Sequence, residues 1–412
     1  MFADDKKEFH GEAIQILPSM PLNFNVGNNS VVSNRSSSNA SLCCGTVSFI
    51  PPDFKEKYAV PGYKMECFVT GFVQTDAGQV PLVSTNMNLR DIFATAIVRA
   101  GITRNQYRIS PGLYATGEPD KNSEVLVTAN FKLTFDVLRS SLKGQNLWIL
   151  VLDTKGVNVW CAAGKGTFST CELVNRIHAS ELEKIVSHRR IIVPQLGATG
   201  IRAEEVKKQS GFRVIYGPIR AEDIGRFIEN GRKADSAMRQ VSFNFYERLI
   251  LTPIEVNCAL KPALITAIVI FMISGIGHDL FSFQAALMRG IMPLGFLLAA
   301  IVTGAVITPA LLPFIPFKSF APKGIITGSI ASAYGLWFAH LFSPELLSSI
   351  GKSGMVAVFL FTTAVTSFLS MNFTGATPFT SPSGVEKEMK CFMPFQIIAI
   401  VIASILWISS AF

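Results

Sequence analysis

The chain has 412 residues, 49% of them hydrophobic and only 16% charged, with a mean hydropathy of +0.37. That is long enough for two domains and too apolar for a wholly soluble protein. The formal net charge of +8 is not concentrated in a basic block, which argues against nucleic acid as a partner and fits a protein beside an anionic leaflet.

The apolar excess is confined to one end. Up to residue 258 the chain carries 30 Lys+Arg and 25 Asp+Glu, and after it only 7 and 4. Residues 1–58 are rich in Asn and Ser and read as a flexible N-terminal segment. Its first eight residues lack an apolar core, so no secretory signal is expected. The seven cysteines (43, 44, 67, 161, 171, 258 and 391) have no C-x2-C spacing, which points to reduced thiols rather than a disulfide framework or zinc site. Cys43 and Cys44 are adjacent, and adjacent residues rarely close a metal site alone.

Residues 59–235 alternate strand-like and helix-like runs. Strands are expected at 124–129, 147–153, 190–196 and 212–217, and helices at 133–142, 167–186, 203–210 and 221–230. Nearly all-apolar strands such as Leu147-Trp-Ile-Leu-Val-Leu152 imply a parallel sheet buried on both faces. Ligands of such sheets bind beyond the carboxyl ends of the strands. The loops there contain Thr128, Asn130, Asp153, Gln195, Leu196, Gly197, Ala198, Tyr216, Gly217, Pro218 and Arg220, and Thr134 opens the first helix. Such residues suit the amides and phosphate of a nucleotide-like tail; Gly and Pro equally make tight turns.

The loop after the second of these strands holds the densest signal. Asn158-Val159-Trp160-Cys161-Ala162-Ala163-Gly164-Lys165-Gly166-Thr167 puts one thiol in a small-residue track at the start of a helix. A helix start favours thiolate, and the track lets a flat ligand approach the backbone. Cys161 is open to roles as nucleophile, redox centre or metal ligand. Gly164-Lys165-Gly166-Thr167 is no P-loop, because Gly166 separates the lysine from the hydroxyl residue. No G-x-G-x-x-G follows a strand, and the five histidines form no ligand pair.

A linker is expected over 236–258, followed by a transmembrane domain over 259–412. Uncharged apolar runs at 262–277, 290–317, 324–344, 353–385 and 391–412 each suit one spanning helix. Arg248, Lys261, Lys318, Lys323, Lys387 and Lys390 fall on one side, against Arg289 and Lys352 on the other. This places the soluble part and the N-terminus in the cytoplasm and the C-terminus outside the cytoplasmic (inner) membrane. With no charge inside a span, no ion pathway is expected, and the polar stretch 372–390 reads as a long cytoplasmic loop.

The octet from Asn158 to Lys165 resembles the signature of the mercury-methylating corrinoid protein family, the membrane-bound half of a two-protein system. The resemblance extends to residues 127–135, 150–155, 194–197 and 211–223 and to the five-span tail. It implies a Rossmann-like α/β corrinoid-binding domain with a cap helix, similar to the corrinoid iron–sulfur protein of the acetyl-CoA pathway, followed by an all-α membrane domain. It further implies a base-off cobalamin with Cys161 as lower axial ligand to cobalt, Asn158 positioning that cysteine, and Gly164 leaving room for the ring. Trp160 packs either on the macrocycle or in the core.

A thiolate trans to a cobalt–carbon bond pushes electron density onto the methyl group. The expected activity is therefore methyl transfer to Hg(II). The chain has no iron–sulfur cluster of its own, so electrons come in trans; the resemblance implies as partners a ferredoxin-like reductant with two 4Fe–4S clusters and an upstream methyl donor protein linked to methyltetrahydrofolate. The second reading is a membrane-anchored corrinoid methyl carrier of one-carbon metabolism, for which a trans thiolate brings no electronic gain. A third is a non-catalytic membrane protein whose α/β domain binds a small molecule.

Overall fold

The computed structural model describes residues 68–278, 280–373 and 382–412, so the segment 1–58 and Cys43, Cys44 and Cys67 lie outside the described residues. The described residues form two compact units. One comprises the residues through Met87 with Asn105–Gln240, and the other Asn88–Arg104 with Val241–Phe412.

The first unit is built on a seven-stranded sheet of order β1-β2-β3-β5-β4-β6-β7. The strands are β1 (Val69–Thr75), β2 (Gly78–Val83), β3 (Gly112–Thr116), β4 (Val125–Ala129), β5 (Leu147–Leu152), β6 (Arg190–Val193) and β7 (Arg213–Tyr216). β4, β5, β6 and β7 run parallel, as their apolar runs foretell, and β3, β4 and β5 are buried along their whole length. The sheet as a whole is mixed rather than parallel. β1 and β2 form an antiparallel hairpin, and β3 runs antiparallel to β5. The hairpin strand β1 alternates between half-buried and exposed positions, the period-2 pattern of a strand with one solvated face.

Helices cover both faces. Phe135 and Leu138 of the helix Lys132–Ser141 and Phe227 of the helix Ile224–Glu229 pack on one side. Val159, Ala162 and Ala163 of the helix Val159–Gly164, Leu173 and Ile177 of the helix Thr170–Ala179, and Val206 of the helix Ala203–Ser210 pack on the other. The single helix expected over 167–186 is two, Thr170–Ala179 and Leu182–Ile185. Ser180 turns its hydroxyl back onto the Arg176 carbonyl (2.8 Å), and Glu181 at φ 48° ends the helical path. The strand expected to reach 196 stops at Val193, and Gln195–Gly200 winds into a 3-10 helix after Pro194.

The second unit contains five helices long and apolar enough to cross a membrane: Phe245–Ser274, Phe283–Ala310, Phe320–Phe342, Pro344–Met371 and Gly384–Ser409. The third and fourth pack through small residues. A Cβ on Gly324 would lie 2.6 Å from the Ser367 Cα, and one on Gly328 would lie 3.0 Å from the Thr363 Cα. The fourth is kinked at Gly351 (φ 61°). The fifth belongs to a helix that begins at Pro382, so 382–390, expected as loop, is helical; an i,i+4 pair of Glu386 and Lys390 (2.8 Å) supports its first turns.

Charged residues do enter these helices, at positions just outside the uncharged runs that the sequence marks. Lys323 and Glu388 are buried, and Arg289 is partly so. All three satisfy backbone groups at helix ends, where main-chain partners run out. Lys323 Nζ donates to the Leu312 carbonyl, and Glu388 accepts from the Ala321 N–H. Arg289 donates to the Trp407 carbonyl (2.9 Å) and the Ile276 carbonyl (3.2 Å).

Candidate functional site

The carboxyl ends of β4, β5, β6 and β7 share one edge of the sheet. β4 is followed by β5 on one side, whereas β6 is followed by β7 on the other, so the order reverses between β4 and β6. Open α/β sheets bind ligands at such a switch point.

Asn130, directly after β4, is fully buried and organises the loop after β5. Its Oδ1 accepts from Thr154 N (3.0 Å), Thr154 Oγ1 (2.9 Å) and Gly156 N (2.9 Å), and its Nδ2 donates to Asp153 Oδ1 (3.0 Å). Asp153 also receives Lys155 N (3.0 Å) and Lys155 Nζ (2.6 Å), while its own N–H is taken by Glu172 Oε1 (2.8 Å). Lys155 (φ 60°) and Gly156 (φ 74°) turn the chain sharply here. Asn130 and Asp153 are therefore loop builders. Thr154, Gly156 and Glu172 complete this network, and sequence reasoning missed them because their partners are remote or local backbone groups.

The loop delivers Asn158 to the N-cap of the six-residue helix Val159–Gly164, where its Oδ1 accepts from Cys161 N (2.9 Å). The two faces of that helix differ. Val159, Ala162 and Ala163 point into the core, whereas Trp160 is 50% exposed and Gly164 and Lys165 are exposed. Cys161 is half-buried with a free thiol. The core alternative for Trp160 is thus excluded.

The 3-10 segment Gln195–Gly200 packs against this helix and the turn after it. A Cβ on Gly200 would lie 2.0 Å from the Phe168 carbonyl and 3.2 Å from the Ala163 Cα; one on Gly197 would lie 2.5 Å from the Phe168 ring. Gly197 thus serves close packing, as does Gly217, whose Cβ would meet Ile192 at 2.8 Å. We expect Gly200→Ala to destabilise the unit by about 1–3 kcal/mol, because the atom it would press on is backbone. Thermal unfolding of the full chain checks this, and an unchanged midpoint would show that the two segments separate freely.

Some of the other expected site residues are already engaged or buried, and others are partly exposed. Tyr216 donates its hydroxyl to the Ile201 carbonyl (2.8 Å), and burial raises its pKa above the ordinary phenol value. Gln195 Oε1 accepts from Arg239 (2.6 Å). Thr128 and Pro218 are buried, while Leu196, Ala198, Thr134, Thr167 and Arg220 are partly exposed. Gly166 (φ 77°) has open space where a side chain would stand. The outward face therefore combines one thiol, one exposed ring, the Lys165 side chain and the uncovered backbone of Gly164 and Gly166. This donor set fits a flat macrocycle carrying a soft metal that needs a single protein ligand. Among the described residues no group of three or more His, Cys, Asp or Glu could hold a metal ion by itself.

The family described as CO dehydrogenase/acetyl-CoA synthase delta subunit matches residues 93–228. Curated relatives include the acetyl-CoA decarbonylase/synthase complex subunit gamma of Methanopyrus kandleri, 32% identical over 128 residues, covering 31% of this chain and 27% of the relative. The corresponding subunit of Methanocaldococcus jannaschii is 29% identical over 154 residues, covering 36% and 31%. Subunit gamma 2 of Methanosarcina thermophila is 34% identical over 127 residues, covering 30% and 26%. The chain thus spans less than a third of the length of these relatives. The matches overturn the expectation of methyl transfer to Hg(II): the named relatives belong to acetyl-CoA synthesis and cleavage, the area of the second reading.

Proposed function

We propose that the α/β unit binds a corrinoid at the carboxyl edge of its sheet and acts as a methyl carrier of one-carbon, acetyl-CoA-pathway metabolism, held at the cytoplasmic membrane by five spanning helices. One observation carries the reading. The segment similar to acetyl-CoA decarbonylase/synthase subunits, 93–228, takes in the short helix that turns Cys161 outward at the switch-point edge.

When bound, the corrinoid supplies a cobalt centre that takes up and gives up a methyl group. The chain's own residues bind and orient. Cys161 would hold the cobalt of the corrinoid, its backbone N–H fixed by Asn158 and its helix anchored to the core by Val159, Ala162 and Ala163. For a carrier, the thiol serves to seat the macrocycle, with no electronic push required. Trp160 offers a flat flank, and Gly164 and Gly166 leave backbone uncovered. Thr134, Thr167, Ala198 and Arg220 border the same edge and suit the amide and phosphate groups of the cofactor's tail.

The methyl donor, a methyltetrahydrofolate-linked protein, and a ferredoxin-like reductant with two 4Fe–4S clusters act in trans. The relatives' names also point to further subunits of a complex as partners. The soluble unit faces the cytoplasm, and the C-terminus lies outside.

The test is cobalt content and absorption of the purified full chain, for the parent and for Cys161→Ala and Cys161→His. The parent should carry about one corrinoid and exchange a labelled methyl group with a methyltetrahydrofolate-dependent donor system. Cys161→Ala should lose most of the cofactor, and Cys161→His should retain it with a shifted spectrum. A parent free of cobalt after growth with corrinoid would refute the function. A fully loaded Cys161→Ala with an unchanged spectrum would refute the ligand assignment.

A further inference from the structure

Between β2 and β3 the chain leaves the sheet and forms the helix Leu89–Arg99, which groups with the second unit. Asn88 and Asp91 start it with a capping box, so its phase is well defined. The phase is inverted for a soluble helix. Its charged Asp91 and its Val98 are buried, while Leu89 is 84%, Ile92 55% and Phe93 69% exposed, with Ala96 exposed beside them.

At about 100° per residue, Leu89, Ile92, Phe93 and Ala96 fall within an arc of about 100°. Arg99 flanks one edge of the arc and Arg90 the other. Arg99 Nε and Thr95 Oγ1, one turn apart, are buried without a hydrogen-bond partner among the described residues, while the Arg99 side chain as a whole is partly exposed.

The helix ends against the first candidate span. A Cβ on Gly101 would lie 3.0 Å from Ile254 Cγ1 and 3.5 Å from Asn257 Nδ2. That span covers 30 residues, the short helix Phe245–Leu249 followed by the 23-residue helix Thr252–Ser274, where about 20 suffice to cross a hydrocarbon core of about 30 Å. About ten residues, Phe245 to Ile254, are surplus and contain the exposed aromatics Phe245 and Tyr246. Gly101 therefore meets the span at headgroup depth.

We propose that the helix Leu89–Arg99 is an interfacial helix that lies in the headgroup layer of an anionic membrane, its Leu89/Ile92/Phe93/Ala96 face in the acyl boundary and Arg90, Arg99 and the following Arg104 on lipid phosphates. The occupant of this face is lipid rather than protein because the segment meets the first span at Gly101 and the face is flanked by cations, the pattern of a monotopic amphipathic helix. Asp91 is the single acid in the segment, and it is buried and used in the cap. The inference rests on the reading of the five helices as membrane spans.

The test uses the full chain in liposomes of brominated phosphatidylcholine, with and without phosphatidylglycerol. Phe93→Trp and Leu264→Trp are each compared with the parent by difference fluorescence. Both positions are exposed, so neither change threatens the core. We expect lipid brominated near the glycerol to quench Phe93→Trp, and lipid brominated deep in the chain to quench Leu264→Trp. Phosphatidylglycerol should raise the Phe93→Trp quench about twofold, and Arg90→Gln with Arg99→Gln should remove that gain.

Quenching of Leu264→Trp without Phe93→Trp would overturn the interfacial helix while leaving the spans intact; absence of both would overturn the spans themselves. A Phe93→Trp quench indifferent to phosphatidylglycerol would overturn the anionic preference.

Discussion

Asp136→Ala is expected to destabilise the α/β unit by about 3–5 kcal/mol, since it strands two buried cations. Asp136 sits between Lys132 Nζ (2.7 Å) and Arg139 Nε (2.7 Å), with all three side chains at most 3% exposed. Arg139 also donates to the carbonyls of Ser84 (2.6 Å) and Asn86 (3.2 Å), tying the strand β2 exit to the helix Lys132–Ser141. Burial alone would lower the Lys132 pKa. The Asp136 carboxylate and then the Tyr107 hydroxyl outweigh it, leaving the ammonium pKa raised. A raised folded-state value means that the stabilisation is complete below the ordinary lysine pKa of about 10.4 and is lost only as pH climbs through the higher folded value. The gap in unfolding midpoint between parent and Asp136→Ala should therefore stay constant from neutral pH to about pH 10 and narrow above it. A gap that closed near neutrality would show that the triad is not ionised as drawn.

Asn130→Ala should cost about 2–4 kcal/mol and, beyond that, unseat the site. Three donors from Thr154 and Gly156 lose their common acceptor in a buried turn, and Asp153 loses one of its donors. Because the loop 153–157 presents Asn158 and Cys161, cofactor retention should fall more than the unfolding midpoint alone accounts for. Asn130→Asp keeps the acceptor but sets a second carboxylate against Asp153, so it should recover only part of the loss. Calorimetry of the full chain, paired with cobalt content, separates the two effects. An Asn130→Ala protein with parental cobalt content would mean that the loop holds its course without Asn130.

Much of the frame is legible in the residues. The apolar runs around Leu126, Ile149, Ile192 and Val214 mark four parallel strands, and the helix Ala203–Ser210 begins and ends where its pattern indicates. The hairpin Val69–Thr75/Gly78–Val83 and the strand Gly112–Thr116 were missed because short strands at a mixed edge carry a weak period-2 signal. The break at Glu181 escaped because a non-glycine residue adopts the left-handed conformation there.

The site was legible in part. Cys161, Asn158 and the small residues around them stand out by composition, and Asn158 caps the short helix. Composition did not reveal that Gly197 and Gly217 serve packing, or that Asn130 and Asp153 spend their polar atoms on a loop.

By itself, then, the sequence determined the α/β class of the first unit, the five apolar helices of the second and the segment around Cys161. These follow from local hydrophobic period and residue size, which each stretch carries on its own. Only the tertiary structure decided which face of the short helix looks outward, how Asn130 steers a loop that starts 23 residues later, and where charge enters the apolar helices. Those outcomes depend on partners distant in the chain, and the same side chain can bind a ligand, cap a turn or fill a gap according to what packs beside it.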